Sequence, residues 1–272
     1  MTSTDHDTPD ASAGKQSDNP TDAPVEPIDV AVIGGGPAGL SAGVFLARAG
    51  LETMIFEHGK STLQKCAHLE NYLGFPAGIR PNTFLDIARD HAETAGCGIV
   101  RSEVTAVRQP EPDGFILECA EGFPGDSSRT DGVGTLRVQF LLVVSWSDTE
   151  FLGPLGVDTH EEAGHDDIQV VDVDHDGRTN IEGLYAAGRV TDQHHQAIVN
   201  AGHGAHVALT LIEDIQPQFY NDWVVPEGYF ARYDRETPVG CEEISHEERR
   251  ERVRRSRETM RTYFSDHGAS GD

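Results

Sequence analysis

The sequence predicts an α/β domain with a mainly parallel sheet and covering helices, and three observations predict it. Ile28, Val30, Val32 and Ile33 form a short β-rich run that breaks at Gly34 into a glycine turn and then an Ala-rich segment of helical composition. A second β-rich run, Thr53 to Phe56, follows and ends in Glu57. Between Thr179 and Ile212 the theme returns: Ile181, Leu184 and Tyr185 lead through Ala186, Ala187 and Gly188 into a polar loop, and from about His195 a small-residue helix runs to Ile212. Strand, turn, helix, strand in that order is a Rossmann-like arrangement.

Gly34, Gly36 and Gly39 supply the G-x-G-x-x-G spacing. The first permits the turn, the second lets a pyrophosphate approach the backbone, and the third lets the helix pack closely on the strand. The phosphate then meets the free N–H groups and positive end of the helix. Glu57 stands 23 residues after Gly34, where the ribose hydroxyls of a dinucleotide lie. A glycine-rich turn in an ordinary α/β unit would leave Glu57 unexplained.

The 272 residues suffice for one large domain or two small ones, with 21 basic against 46 acidic side chains and a formal charge of −25. Only Lys15, Lys60 and Lys65 are lysines. Such a surface repels nucleic acid and anionic membrane, so neither is expected as a partner, and a phosphate-bearing ligand is expected to be held by backbone dipoles rather than by charge. Solvated acidity with little lysine resembles proteins of salt-loving microbes, which makes a halophilic chain that needs molar salt to fold the expectation. No apolar run approaches the ~18 residues that span a bilayer and the start carries no export signal, so a cytoplasmic location is expected. Cys66, Cys97, Cys119 and Cys241 are widely spaced without C-x-x-C, which argues against a zinc ribbon and a local dithiol.

Along the chain, residues 1–26 are rich in Asp, Ser, Thr, Pro and Ala and are expected to be a disordered acidic tail, ahead of a domain over 27–215 and an extension over 216–272. The stretch after Glu57 is a long loop dense in Gly, Pro and Asn, and such loops are usually functional. Phe84–Ala95 has helical spacing, with Gly96 and Gly98 as a stop. Ile99–Val107 and Gly114–Cys119 read as strands, 120–135 as a polar turn, Leu136–Val144 as an apolar strand and Ile168–Val173 as another. The segment from Ser145 crosses the surface with apolar points at Phe151 and Leu155. The run DVDHDG lacks the distant glutamate of a calcium loop, and no metal is expected. Gly202 and Gly204 cost roughly 1 kcal/mol each in an exposed helix, so close packing is expected to compensate.

With these segments in view, GGGPAGLSAGVFLARAG and NIEGLYAAGRVTDQHHQAIVNAGHGAHVAL resemble the two FAD-contacting motifs of the low-molecular-weight thioredoxin reductase family, within the FAD-dependent pyridine nucleotide-disulfide oxidoreductases. ENYLGF, Glu70–Phe75, is similar to that family's loop beside the flavin. The resemblance implies a flavoprotein with a single FAD-binding domain of three layers, a parallel sheet with helices and a small antiparallel β crossover, followed by a C-terminal helical extension. It implies FAD in an extended pose, with Gly34, Gly36, Pro37, Ala38 and Gly39 at the pyrophosphate, Glu57 at the adenine ribose and Asn71 near the isoalloxazine. Gln196 and Ala197 would face the flavin N1 and C2 carbonyl, where a helix start stabilises the reduced ring.

Departures from the family are equally specific. Relatives insert a nicotinamide-binding domain with its own glycine fingerprint and a C-x-x-C pair, and Arg101–Gly177 holds neither. Arg189 follows Gly188 where relatives carry the Asp that holds the ribityl chain, so a donor-only guanidinium replaces an acceptor. Cys66, after Lys65, is the one thiol in the flavin loop and a candidate catalytic thiolate or sulfenate, against a plain loop residue. His195 or His194 is the candidate to assist at N1 as a protonated imidazole, against a capping or surface role, and His203 and His206 have a spacing that permits shared ligation.

In the extension, Ser245 and Glu248 are expected to form a capping box on a helix rich in arginine, Arg249, Arg250, Arg252, Arg254, Arg255 and Arg257. That helix is either solvated with internal ion pairs or docked, on the acidic body or on a second subunit in a homodimer, over the flavin cleft. The sequence therefore points to an FAD-dependent oxidoreductase reduced by a small-molecule or protein redox partner or by its substrate, with a non-enzymatic FAD-binding or interaction module as the alternative.

Overall fold

Strand β1, Ile28–Ile33, has all its residues but Asp29 buried, as a strand covered on both faces must. The structure, a computed structural model, describes residues 28–110, 113–120, 134–146, 148–162 and 165–264. The expected tail over 1–26 and most of the polar turn over 120–135 lie outside the described residues. After β1 come helix α1, Pro37–Arg48, strand β2, Thr53–Glu57, and helix α2, Pro81–Ala95. Then follow strands β3, Gly98–Arg101, β4, Val104–Arg108, β5, Phe115–Cys119, and β6, Gly134–Val143. A hairpin of β7, Thr159–Glu162, and β8, His165–Val171, precedes β9, Leu184–Ala186, and helix α3, Ala197–Ile215.

One sheet runs β3-β2-β1-β6-β5-β4, with β9 beside the second half of β6. The pairs β3/β2, β2/β1, β1/β6 and β6/β9 are parallel, while β4 and β5 join antiparallel. Alternation along the parallel strands divides the core in two. Val30, Val32, Ile55 and Leu142 pack with Leu40 and Leu46 of α1, Leu85 of α2 and Leu211 of α3. Ala31, Ile33, Phe56, Leu141 and Val143 face the opposite way, onto Val107, Phe115 and Leu117 of the meander. Helices, parallel sheet and antiparallel meander are the three layers.

The sequence suggested one strand over Ile99–Val107, and the structure divides it. Ser102 and Glu103 separate β3, which pairs with β2, from β4, which pairs with β5 at the other end of the ladder. Two residues join those ends, so the sheet folds over on itself. Helix α2 begins three residues earlier than its apolar spacing indicated, because Pro81 suits a first turn. It ends on Gly96 at φ 113°, a left-handed cap. A 3-10 turn over Glu150–Leu155 buries Phe151 and Leu152 against the meander face.

Gly204 is explained by the crossing of α1 and α3: a Cβ there would lie 2.1 Å from the Ala38 carbonyl oxygen. Nothing lies within 4 Å of a Cβ at Gly202, so close packing accounts for one of the two glycines only. The DVDHDG turn is closed by protein groups. Asp174 Oδ1 accepts from the N–H groups of Asp176 and Arg178 at 2.9 Å each, and Arg178 forks onto Asp214 at 2.7 and 2.8 Å.

The extension forms parallel strands β10, Phe219–Pro226, and β11, Val239–Ile244, and helix α4, His246–Phe264. It is tied to the helical layer by Arg48, which grips Asp222 at 2.5 and 2.6 Å, and by Tyr263, which donates to Asp90. Half of the expected capping box forms. Ser245 Oγ accepts from the Glu248 N–H at 3.2 Å, but the Glu248 carboxylate accepts from Arg252 four residues on.

Candidate functional site

The four glycines at the end of β1 and the start of α1 are there for different reasons. Gly34 has φ 129°, and a Cβ on it would lie 2.7 Å from the Val144 carbonyl oxygen. A Cβ on Gly35 would lie 2.4 Å from Glu57 Oε2, and one on Gly39 1.9 Å from the Gly34 carbonyl oxygen. The protein's own packing thus requires these three. At Gly36 the nearest atom is Ser61 Oγ, 3.8 Å away. Gly36 is the N-cap of α1, no side chain caps that helix, and Pro37 occupies its first turn. A side chain at Gly36 would fill only the space in front of the helix, where an anion binds.

That space is one end of a cleft of about 500 Å³, within the usual range for a cofactor site. Gly34, Gly36, Pro37, Ala38, Glu57 and Cys66 line one side and Arg189, His195, Gln196 and Ala197 the other. The starts of α1 and α3 therefore open on the same groove. Gly39 and Gly188 stand behind it, packed on neighbouring backbone and side chains. Both lysines among the described residues, Lys60 and Lys65, also line it.

Glu57 ends β2 at the cleft wall. Its Oε2 accepts from Arg89 Nε of α2 at 3.0 Å and its Oε1 from Arg101 Nε of β3 at 3.3 Å. An ionised carboxylate has about four acceptor positions, so two remain for ligand hydroxyls. The arginines hold the carboxylate in place and leave part of its capacity open.

At the other end, Asn71 Nδ2 donates to Gln196 Oε1 at 2.6 Å, joining residues 125 positions apart. The ENYLGF loop is thereby fastened to the start of α3. Tyr72 and Phe75 anchor the loop on Phe84 of α2, at ring separations of 4.6 and 6.2 Å. Gln196 is the N-cap of α3 and makes no side-chain cap, so the helix start faces the groove through Gln196 and Ala197.

Arg189, 6% exposed, turns its guanidinium onto protein groups. It donates to Glu162 and to Asp192, the latter at 3.2 Å, and its Cζ lies 5.8 Å from the Trp146 ring. It also donates to Nε2 of His195, whose ring meets Trp146 edge-on at 4.5 Å. His195 thus lies at the cleft between Arg189 and Trp146.

The Gly188 N–H donates to His203 Nδ1 at 3.0 Å, fixing the turn ahead of Arg189 to α3. Burial, and His206 beside it, push the His203 pKa down, which keeps the accepting nitrogen free of a proton. The rings of His203 and His206 lie 6.5 Å apart, and no metal-holding group occurs among the described residues. Cys66 is exposed at the end of a 3-10 turn over Thr62–Lys65. Cys97 is buried behind α1, where burial pushes its thiol up to about 11.

Sequence reasoning missed Trp146, Glu162 and Arg89, which belong to no motif, and Asn200, which lies inside the second FAD-contacting motif but was given no role there. Glu162 and Trp146 had a signal of sorts, because a lone guanidinium beside a glycine turn needs acid and aromatic partners. The residues fit FAD on three observations of this structure: the unfilled space at Gly36, the shared groove of two helix starts, and the half-used carboxylate of Glu57.

Comparison with known proteins agrees with that fit. The family described as FAD binding domain matches residues 27–68. The thioredoxin reductase of Aquifex aeolicus is 35% identical over 85 residues, 30% of this chain and 26% of that protein. The thioredoxin reductase of Streptomyces clavuligerus is 30% identical over 130 residues, 46% of this chain and 36% of that protein. The chain thus spans about a quarter to a third of the length of these curated relatives. In three dimensions, a thioredoxin reductase structure from Gloeobacter violaceus superposes with a TM-score of 0.55 at 16% identity, over 70% of this chain and 95% of that one, a likeness of fold. The glycine turn, its shared groove and these matches make this chain similar in part to thioredoxin reductases, with an FAD-binding segment over residues 27–68 and a fold like theirs.

Proposed function

We propose that this chain is an FAD-dependent oxidoreductase with no nicotinamide-binding domain or redox dithiol of its own, reduced by an external donor or by its substrate. The observation that carries the reading is the common groove of the α1 and α3 starts, with Gln196 held by Asn71 of the ENYLGF loop. Between β3 and β9 the described residues form the meander, one 3-10 turn and the β7–β8 hairpin, with no α-helix. A nucleotide-binding domain of the Rossmann kind needs a strand–helix–strand unit of its own.

When bound, the flavin supplies hydride or electron transfer. The first turn of α1 and Lys60 neutralise phosphate charge, and Glu57 orients ribose hydroxyls. The start of α3 offers its positive end to negative charge arising on the ring. Trp146 and His195 line the groove with their rings edge-on to one another. Cys66 is the thiol at the groove, while Cys97 and Cys119 are buried elsewhere, which supports a chemistry without a neighbouring thiol pair.

The test is anaerobic titration of the FAD-loaded protein with dithionite, NADH and NADPH, followed by reoxidation with small-molecule and protein acceptors. The flavin absorption is expected to bleach and to return with an acceptor at a rate above that of free FAD. Stoichiometric flavin that bleaches but never turns over would favour a binding module instead. Failure to take up FAD would end the proposal.

A further inference from the structure

Asn200, in the first turn of α3, lines the cleft, and its Oδ1 is the single buried side-chain nitrogen or oxygen among the described residues without a hydrogen-bond partner. Its orientation is fixed. Nδ2 donates to the carbonyls of His194 at 2.9 Å and Gln196 at 2.8 Å, so a flipped amide would set Oδ1 against two carbonyl oxygens. A buried acceptor without a donor costs free energy that a native site recovers through a ligand or an ordered water.

The protein's nearby donors are spent elsewhere. The Gly188 N–H is given to His203, and the Arg189 guanidinium to Glu162, Asp192 and His195. The place of Oδ1 also selects the missing donor. A Cβ on Gly188 would lie 3.3 Å from Oδ1 and 3.0 Å from the Ala38 Cβ, so Oδ1 borders the junction of the two helix starts. The α1 end of the groove suits phosphate and the α3 end suits the ring, and the stretch between them meets a polyol.

Resting on the FAD reading, we infer that Asn200 Oδ1 accepts a hydrogen bond from a hydroxyl of the FAD ribityl chain. Asn200 is then the acceptor on this stretch of the cofactor, a task for which Arg189 has no lone pair.

The experiment measures binding to the apoprotein of FAD and of its 2′-, 3′- and 4′-deoxyribityl analogues by calorimetry, for the natural protein and Asn200→Ala. Asn200→Ala is expected to weaken FAD about tenfold, the effect of one buried hydrogen bond. That loss should vanish for the one analogue lacking the donating hydroxyl. An equal loss with all four ligands would assign Asn200 a purely structural role, and no loss would mean that water satisfies Oδ1; either overturns the inference while FAD binding itself stands. A natural protein that binds no FAD overturns the parent reading as well. If Asn200→Ala fails to fold, Asn200→Asp, which keeps an oxygen in place, should retain the preference for FAD over that analogue, and equal affinity for the two would refute the inference.

Discussion

Gly36 and Gly39 lie three positions apart in one motif, yet their substitution should fail in opposite ways. A methyl at Gly39 meets the Gly34 carbonyl at 1.9 Å, so Gly39→Ala should lower stability by about 1–3 kcal/mol or more, whether or not flavin is present. Gly36→Ala has room, and should leave the denaturation midpoint of the apoprotein unchanged while weakening FAD binding. Equal effects of the two on apoprotein stability would contradict this division. His203 is a second residue with a definite sign. Its folded pKa is pushed below the ordinary 6.5, so the unfolded chain binds the proton first, and stability present above pH 6.5 is lost as pH falls through the folded value. His203→Asn, which keeps an acceptor near the Gly188 N–H, should flatten that part of the melting-temperature profile below pH 6.5; an unchanged slope would place the acid sensitivity elsewhere, His91 being pushed in the same direction. Glu57 and the glycines were legible because backbone geometry dictates their spacing, and Gln196 only through the family motif it resembles. Asn200 and Trp146 were not, because an orphaned oxygen or a ring beside a guanidinium exists only after distant segments meet.

At the scale of elements, the crossing of α1 and α3 places the two ends of the groove relative to one another. Gly204 sets its distance, with a potential Cβ 2.1 Å from the Ala38 carbonyl oxygen. Gly204→Ala would gain about 1 kcal/mol of helix propensity. The clash with backbone outweighs it, so the net change should be destabilising and FAD affinity should fall with it, as denaturant midpoints and flavin titration would show. Gly202→Ala meets nothing and should be neutral or stabilising. Elements with an uninterrupted pattern, β1, α1, β2 and α3, could be read directly from the chain. The division of β3 from β4 could not, because both halves are β-rich and only the partner strands, at opposite ends of the ladder, distinguish them. The start of α2 at Pro81 was likewise hidden, since its first turn contains no apolar repeat.

Over the whole molecule, charge and its exceptions carry most of the information. With −25 formal charges the folded chain repels itself, and we propose that molar salt stabilises it; the melting temperature should rise as KCl is added, and one independent of salt would contradict a halophilic character. Helix α4 has no buried residue and does not line the cleft, so the sequence-based alternative in which it covers the flavin site finds no support in its position. Arg252 pairs with Glu242 and Glu248 and Tyr263 with Asp90, which ties the helix to its own chain. Docking on a second subunit remains a proposal, for which sedimentation with and without residues 217–272 is the check. The central claim is that two distant glycine-rich segments hold one FAD with no nicotinamide domain beside it. Calorimetric titration of the apoprotein in high salt with FAD and then with NADPH tests it most directly. One FAD per chain and no separate NADPH site is the result expected; no uptake of FAD, or a second site that takes NADPH beside bound FAD, would contradict it.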